Sequence, residues 1–236
     1  MWNPLQALQT FAARWSTPAW AVAYAAQSLV TQRATYVGGH AVKKYATVLD
    51  ATIAFRHTTY RLDTVNSLVD SLTGLPSCVG NVAKKVTSVG GVGPKEIDFL
   101  RHPSQMQTGI DAGTATAPIA VGDCEDSAAW FAAMLTRSGL GTGIELVALW
   151  WKDAMGQSVG HMVCRYTATG GPGGIGPEVG RRFWIGNWHS GAPYEGEVIS
   201  GIEGIVKAPV KTAVAWSVGL GPDDTLLLSR PRVLRS

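Results

Sequence analysis

Charge is scarce in this chain. Lys, Arg, Asp and Glu make up 16% of its 236 residues, and 20 basic against 17 acidic side chains leave a net charge of +3. So small a surplus supplies no electrostatic footprint for nucleic acid. The basic pairs Lys43-Lys44, Lys84-Lys85 and Arg181-Arg182 are scattered. Arg230, Arg232 and Arg235 form a basic tail that reads as a solvated end. Cysteine is also scarce. Cys78, Cys124 and Cys164 are an odd set with no Cys-x-x-Cys spacing, which argues against a disulfide framework and suits a reducing compartment. His161 and Cys164 lie three apart in a strand-like run, so they face opposite ways and make a poor metal pair. No metal and no cofactor is expected.

Other absences narrow the class further. The first dozen positions lack Lys and Arg, and the apolar stretch Pro18 to Ala26 is short for a membrane span. Despite a small-residue run at Ala23-Tyr24-Ala25, no signal peptide and no membrane span are expected, and the localisation read is cytoplasmic or virion-associated. The loop Gly170 to Gly180 holds five glycines in Gly170, Gly171, Gly173, Gly174 and Gly176, but it lacks the Lys-Ser/Thr ending of a phosphate loop. It reads as a flexible hairpin tip near the site. No internal repeat is present.

What is there is an apolar fraction of 46%, enough at this length to bury a full core. Residues 1–40 read as a helical N-terminal arm. Leu5, Leu8, Ala12 and Trp15 form one stripe, and Ser16-Thr17-Pro18 breaks it and starts a second helix. Trp2, Trp15, Trp20 and Tyr24 give the arm aromatic surface that packs on the main domain or contacts another subunit. Residues 41–236 read as the main domain, helical over 41–140 and sheet over 141–236. Helices are expected within 41–73, with Val48, Ile53, Leu62, Val65, Leu68, Val69 and Leu72 as core contacts, ended by Gly74-Leu75-Pro76. Lys95 to Leu100 suggests a further helical turn ended by Pro103. Strands are expected at Ile144 to Trp151, His161 to Thr167 and Arg182 to Trp188, the first two as an antiparallel pair, with edge strands at Ile199 to Val206 and Thr212 to Val218.

The most informative stretch is Gly122-Asp123-Cys124-Glu125-Asp126. Cys124, Ala128, Phe131 and Leu135 share one helical face, and Gly139 follows as a stop. A thiol in the first helical turn sits in the positive end of the backbone dipole, which favours thiolate. The three neighbouring acids push the other way and raise a thiol pKa. Glu125 and Asp126 read as acids that cap the helix start. Gly160-His161-Met162-Val163 and Trp184-Ile185-Gly186-Asn187-Trp188 follow in strand-like runs. Cys, His and Asn in that order are the inventory of a thiol-nucleophile enzyme. His40, His57 and His102 precede the cysteine, and His189 shares the run of Asn187, so His161 is the candidate base. Trp130, Trp150, Trp151, Trp184 and Trp188 read mostly as core.

Over residues 96–190 the chain resembles the transglutaminase-like cysteine peptidase family of bacteria and their viruses. The family carries a Gly-Asp-Cys-(Asp/Glu)-Asp box opening a helix, then a Gly-His strand, then an acidic or amide residue in the next strand. Gly186-Asn187 stands where many relatives carry Asp, often as Asp-Asn, and Asn can serve because orienting an imidazole needs only a hydrogen-bond acceptor. The resemblance implies an α+β fold with a papain-like or transglutaminase-like core, the cysteine helix packed on an antiparallel sheet. It implies a hydrolase or acyltransferase acting on protein or peptide amides, with Cys124 as nucleophile, His161 as base and Asn187 as orienting group. The reading from another class is a catalytically silent assembly protein, such as a virion component, in which the aromatic arm binds a further copy or an assembly partner.

Overall fold

The computed structural model describes residues 17–60, 100–170, 177–187 and 192–235. The first stripe of the arm, the core positions from Leu62 to Leu72, the turn at Gly74 to Pro76, Lys95, Cys78, Trp188 and His189 lie outside the described residues.

The described chain is α+β. Its elements are α1 (Thr17–Thr35), α2 (Val48–Phe55), β1 (Thr58–Tyr60), α3 (Pro103–Ala112), β2 (Ala120–Gly122), α4 (Cys124–Ser138), β3 (Gly141–Lys152), β4 (Ser158–Ala168), β5 (Arg182–Ile185), β6 (Tyr194–Glu195), α5 (Val198–Val206), β7 (Val210–Leu220), β8 (Leu226–Leu228) and β9 (Arg232–Arg235). Seven strands form one antiparallel sheet in the order β6-β5-β4-β3-β7-β8, with β9 also paired to β7. β1 and β2 make a separate parallel pair, Thr58 opposite Ala120.

Period-two alternation sends successive residues of the sheet into two apolar layers. Leu146, Ala148, Met162, Cys164, Tyr166, Ile185 and Trp216 face one core with α4 and α1. Val147, Leu149, Val163, Trp184 and Ala213 face the other with Val198 and Ile202 of α5. The sheet therefore lies between helices on both faces, and its central strands are apolar on both sides.

The arm packs on its own main domain. Trp216 Nε1 donates to the Ala21 carbonyl at 3.1 Å, and the Tyr24 and Trp216 rings lie 5.3 Å apart. Gln32 behaves like an added strand residue: its Oε1 accepts from Leu226 N–H at 2.8 Å and its Nε2 donates to Leu226 C=O at 3.2 Å. No described helix is long and apolar enough to cross a membrane.

Four sequence expectations change. Pro103 opens α3 instead of ending a helix, because a proline in the first turn gives up an N–H that has no helical partner. Thr58–Tyr60 is a strand inside a region expected to be helical, held by pairing with residues far along the chain. Val198–Val206 is a helix, not an edge strand; Val198 and Ile202, one turn apart, are its buried positions. Finally, β7 is an interior strand with β3 on one side and β8 and β9 on the other. The division into a helical 41–140 and a sheet 141–236 is thus crossed by β1 and β2 on one side and α5 on the other.

Candidate active site

The start of α4 is built around Asp126. Asp123 is the extended N-cap residue, and it forms a reciprocal capping box with Asp126 at the third helical position. Asp123 N–H donates to Asp126 Oδ2 at 3.3 Å, and Arg101 N–H donates to Asp126 Oδ1 at 3.0 Å. The Arg101 guanidinium forms an ion pair with the same carboxylate. Both partners are buried, Arg101 at 5% and Asp126 at 2% exposure. Gly122 is required beside them, since a Cβ there would lie 2.7 Å from Asp126 Oδ2. The glycine and the last acid of the box are therefore structural, and they fix where Cys124 projects.

Cys124 projects to the edge of the sheet. The β4–β5 ladder runs from Thr167 opposite Arg182 to Cys164 opposite Ile185 and ends there. The chain turns away at Gly186, which packs on the first turn of α4, with its Cβ position 3.6 Å from Ala128 Cα. The Met162 backbone, two residues beyond the last pair, favours the ionised form of the Cys124 thiol.

His161 precedes Met162 in β4 and is partly buried. It sits opposite Leu149, and its ring meets Trp151 edge-on at 6.5 Å, on the face that carries α5. Asn187 follows Gly186, and its Nδ2 donates to Tyr194 Oη at 3.5 Å. Tyr194 in turn stacks on Trp184, also on the α5 face, at 4.3 Å. The fold brings the three backbone segments to one sheet edge, with the thiol reaching it from α4 and the imidazole on the α5 side. The thiol's own proton goes elsewhere: Cys124 Sγ donates to Glu125 Oε2 at 3.0 Å.

That environment pushes the Cys124 thiol pKa well above its ordinary value. Burial is the largest cause, followed by the negative charges of Glu125 and Asp123 and the hydrogen bond to Glu125; the Met162 hydrogen bond pulls the other way. The resting thiol is therefore protonated. Cys164 is fully buried, and burial pushes its thiol up as well. Asp123, Cys124 and Glu125 each turn one ligand atom into a space where all three lie within 4.8 Å of one another, close enough to share a cation.

The sequence reading assigned Glu125 to helix capping. The structure gives that task to Asp126 and turns the buried Glu125 carboxylate onto the thiol. Adjacency at the first two helical positions was the available signal. Arg101 was missed because nothing local marks its pairing with Asp126. Of the other histidines, His57 Nδ1 meets the Ile110 carbonyl at 3.0 Å and His102 is a buried N-cap for α3, so both have structural roles. Trp130 and Trp184 are fully buried, as a core role requires, whereas Trp150 and Trp151 are only partly covered. Most of the glycine loop, residues 171–176, lies outside the described residues.

Comparison with family models, curated proteins and solved structures finds no match to this chain.

Proposed function

We propose that the chain is a thiol-nucleophile hydrolase or acyltransferase of the transglutaminase-like kind, acting on protein or peptide amides. One observation carries this reading. The Met162 backbone, next to His161 in β4, favours the ionised form of the thiol at the first position of α4, where β5 ends and the chain continues to Asn187. The backbone segments of a helix-start cysteine, a strand histidine and an asparagine thereby meet at one sheet edge, the inventory of a thiol-nucleophile site.

In this reading, substrate entry displaces the thiol from Glu125. His161 takes the thiol proton as sulfur attacks the carbonyl, and Asn187 holds the imidazole tautomer. The Cys124 N–H, free of a helical partner at the helix start, faces the developing oxyanion. Collapse of the tetrahedral intermediate forms a thioester, and the departing amine receives the proton from His161. Water then hydrolyses the thioester, or a second amine takes the acyl group.

The assembly reading has one specific observation in its favour: a protonated thiol bonded to a carboxylate is a poor nucleophile. An acyl-enzyme experiment separates the two. Activated p-nitrophenyl acetate should give a burst of one nitrophenolate per chain in the wild type and none in Cys124→Ala. No burst in either favours the assembly reading.

A further inference from the structure

We propose that Tyr194 is a positioning residue for Asn187: its hydroxyl takes the amide's N–H and so leaves the amide oxygen as the group offered to His161. The proposal rests on the thiol-nucleophile reading. It adds a residue that acts through Asn187 and touches no reacting atom.

The chemistry of the amide creates the need. A carboxamide carries an acceptor oxygen and a donor nitrogen, and a half-turn about the Cβ–Cγ bond exchanges them. Only the oxygen can accept from an imidazole N–H; the nitrogen, presented instead, would oppose donor to donor. A carboxylate has two acceptor oxygens and no wrong orientation. An asparagine in this role therefore needs a partner that fixes which way its amide points.

The fold supplies one. Asn187 Nδ2 donates to Tyr194 Oη at 3.5 Å. The bond is long, as such bonds often are in a free enzyme before substrate closes the site. The Tyr194 ring is held independently of Asn187. It pairs with Trp184 across the β5–β6 ladder and stacks on it at 4.3 Å, with 10° between the ring planes. Trp184 is fully buried and rests in turn on α5, where a Cβ at Gly201 would lie 2.7 Å from its Cζ2. The main chain is anchored from the other side. Gly186 adopts φ +108°, which side-chain-bearing residues rarely reach, and its carbonyl accepts from Ser127 Oγ of α4 at 3.5 Å. Asn187 thus follows a backbone fixed on the helix that carries Cys124, and its side chain meets a stack rooted on α5. That stack lies on the same face of the sheet as Trp151 and the His161 ring.

The test is a double-mutant cycle between Tyr194→Phe and Asn187→Asp. Tyr194→Phe removes the hydroxyl and keeps the stack, so the melting temperature should move by less than about 2 °C. The rate of the p-nitrophenyl acetate burst should fall roughly five- to ten-fold with Asn187 in place, the worth of one hydrogen bond. With Asn187→Asp the same change should cost less than about two-fold, because a carboxylate has no orientation to lose. Nitrogen-15 spectra of the His161 ring read the orienting bond without turnover: one tautomer in the wild type, a mixture in Tyr194→Phe, and one again when Asn187→Asp is added. An equal loss in both backgrounds, or no loss and an unchanged tautomer in Tyr194→Phe, would overturn the proposal. A burst indifferent to Tyr194 removes the positioning role and keeps the thiol chemistry. A tautomer that follows the hydroxyl in a protein with no burst keeps the positioning role and removes the thiol chemistry.

Discussion

Removing the Arg101 guanidinium should destabilise the protein more than any surface change and should loosen the start of α4. Arg101→Met leaves the Asp126 carboxylate at 2% exposure with two backbone N–H donors, its own Asp123 cap and Arg101 N–H, but no countercharge. Breaking a buried pair by deleting one partner costs about 3–5 kcal/mol. Against a total stability of about 5–15 kcal/mol, that is a large fraction. In a chain of this size each kcal/mol moves the melting temperature by about 2–4 °C, so a fall of roughly 6–20 °C is expected. Near-UV circular dichroism, dominated by buried tryptophans such as Trp130 and Trp216, reads the transition. Deleting both charges, in Arg101→Met with Asp126→Leu, should recover much of the loss, because two apolar side chains leave nothing unpaired. Well below the melting temperature, Arg101→Met should also alkylate faster at Cys124, as the cap that positions it frays. A melting shift under about 4 °C for Arg101→Met, about 1 kcal/mol, would refute the role given to this pair.

Three further outcomes follow from the geometry. Cys124, only partly buried, should alkylate with iodoacetamide faster than the fully buried Cys164, and its rate should keep rising above the ordinary thiol range because its pKa is raised; peptide mass spectrometry resolves the two. His102 accepts from Ser104 N–H through Nδ1 at 3.1 Å, and burial holds its pKa below the ordinary 6.5, with Asp223 and Asp224 pulling upward. Its contribution to stability should be complete above pH 6.5 and decline as pH falls from there toward the folded value; His102→Asn, a good N-cap, should flatten that part of the stability–pH curve. Asn187→Ala should lower turnover by roughly 10²–10⁴ while changing the melting temperature little, and Asn187→Asp should retain much of the activity; equal turnover in all three proteins would remove Asn187 from the site.

What was legible in the sequence is what local pattern controls. The period-3.6 run after Cys124 and the stop at Gly139 mark α4, and the apolar runs around Leu146 and Val163 mark β3 and β4. What failed depended on distant partners. β1 exists because Thr58 meets Ala120. The α5 segment, expected as a strand, is a helix whose place depends on a distant ring: a Cβ at Gly201 would lie 2.7 Å from Trp184 Cζ2, so the glycine lets the helix lie on it. The box Gly122 to Asp126 was legible as a helix start with a thiol. The division of labour among its acids was not, because Arg101 draws Asp126 inward and leaves Glu125 to the thiol.

The central claim is that Cys124 is an acyl-accepting nucleophile activated by His161. Its most direct test is intact-protein and peptide mass spectrometry after brief exposure to p-nitrophenyl acetate. The account predicts one acetyl group, on Cys124, formed in the wild type and strongly reduced in His161→Ala. Acetylation confined to lysines, or Cys124 acetylation that proceeds equally well without His161, would contradict it.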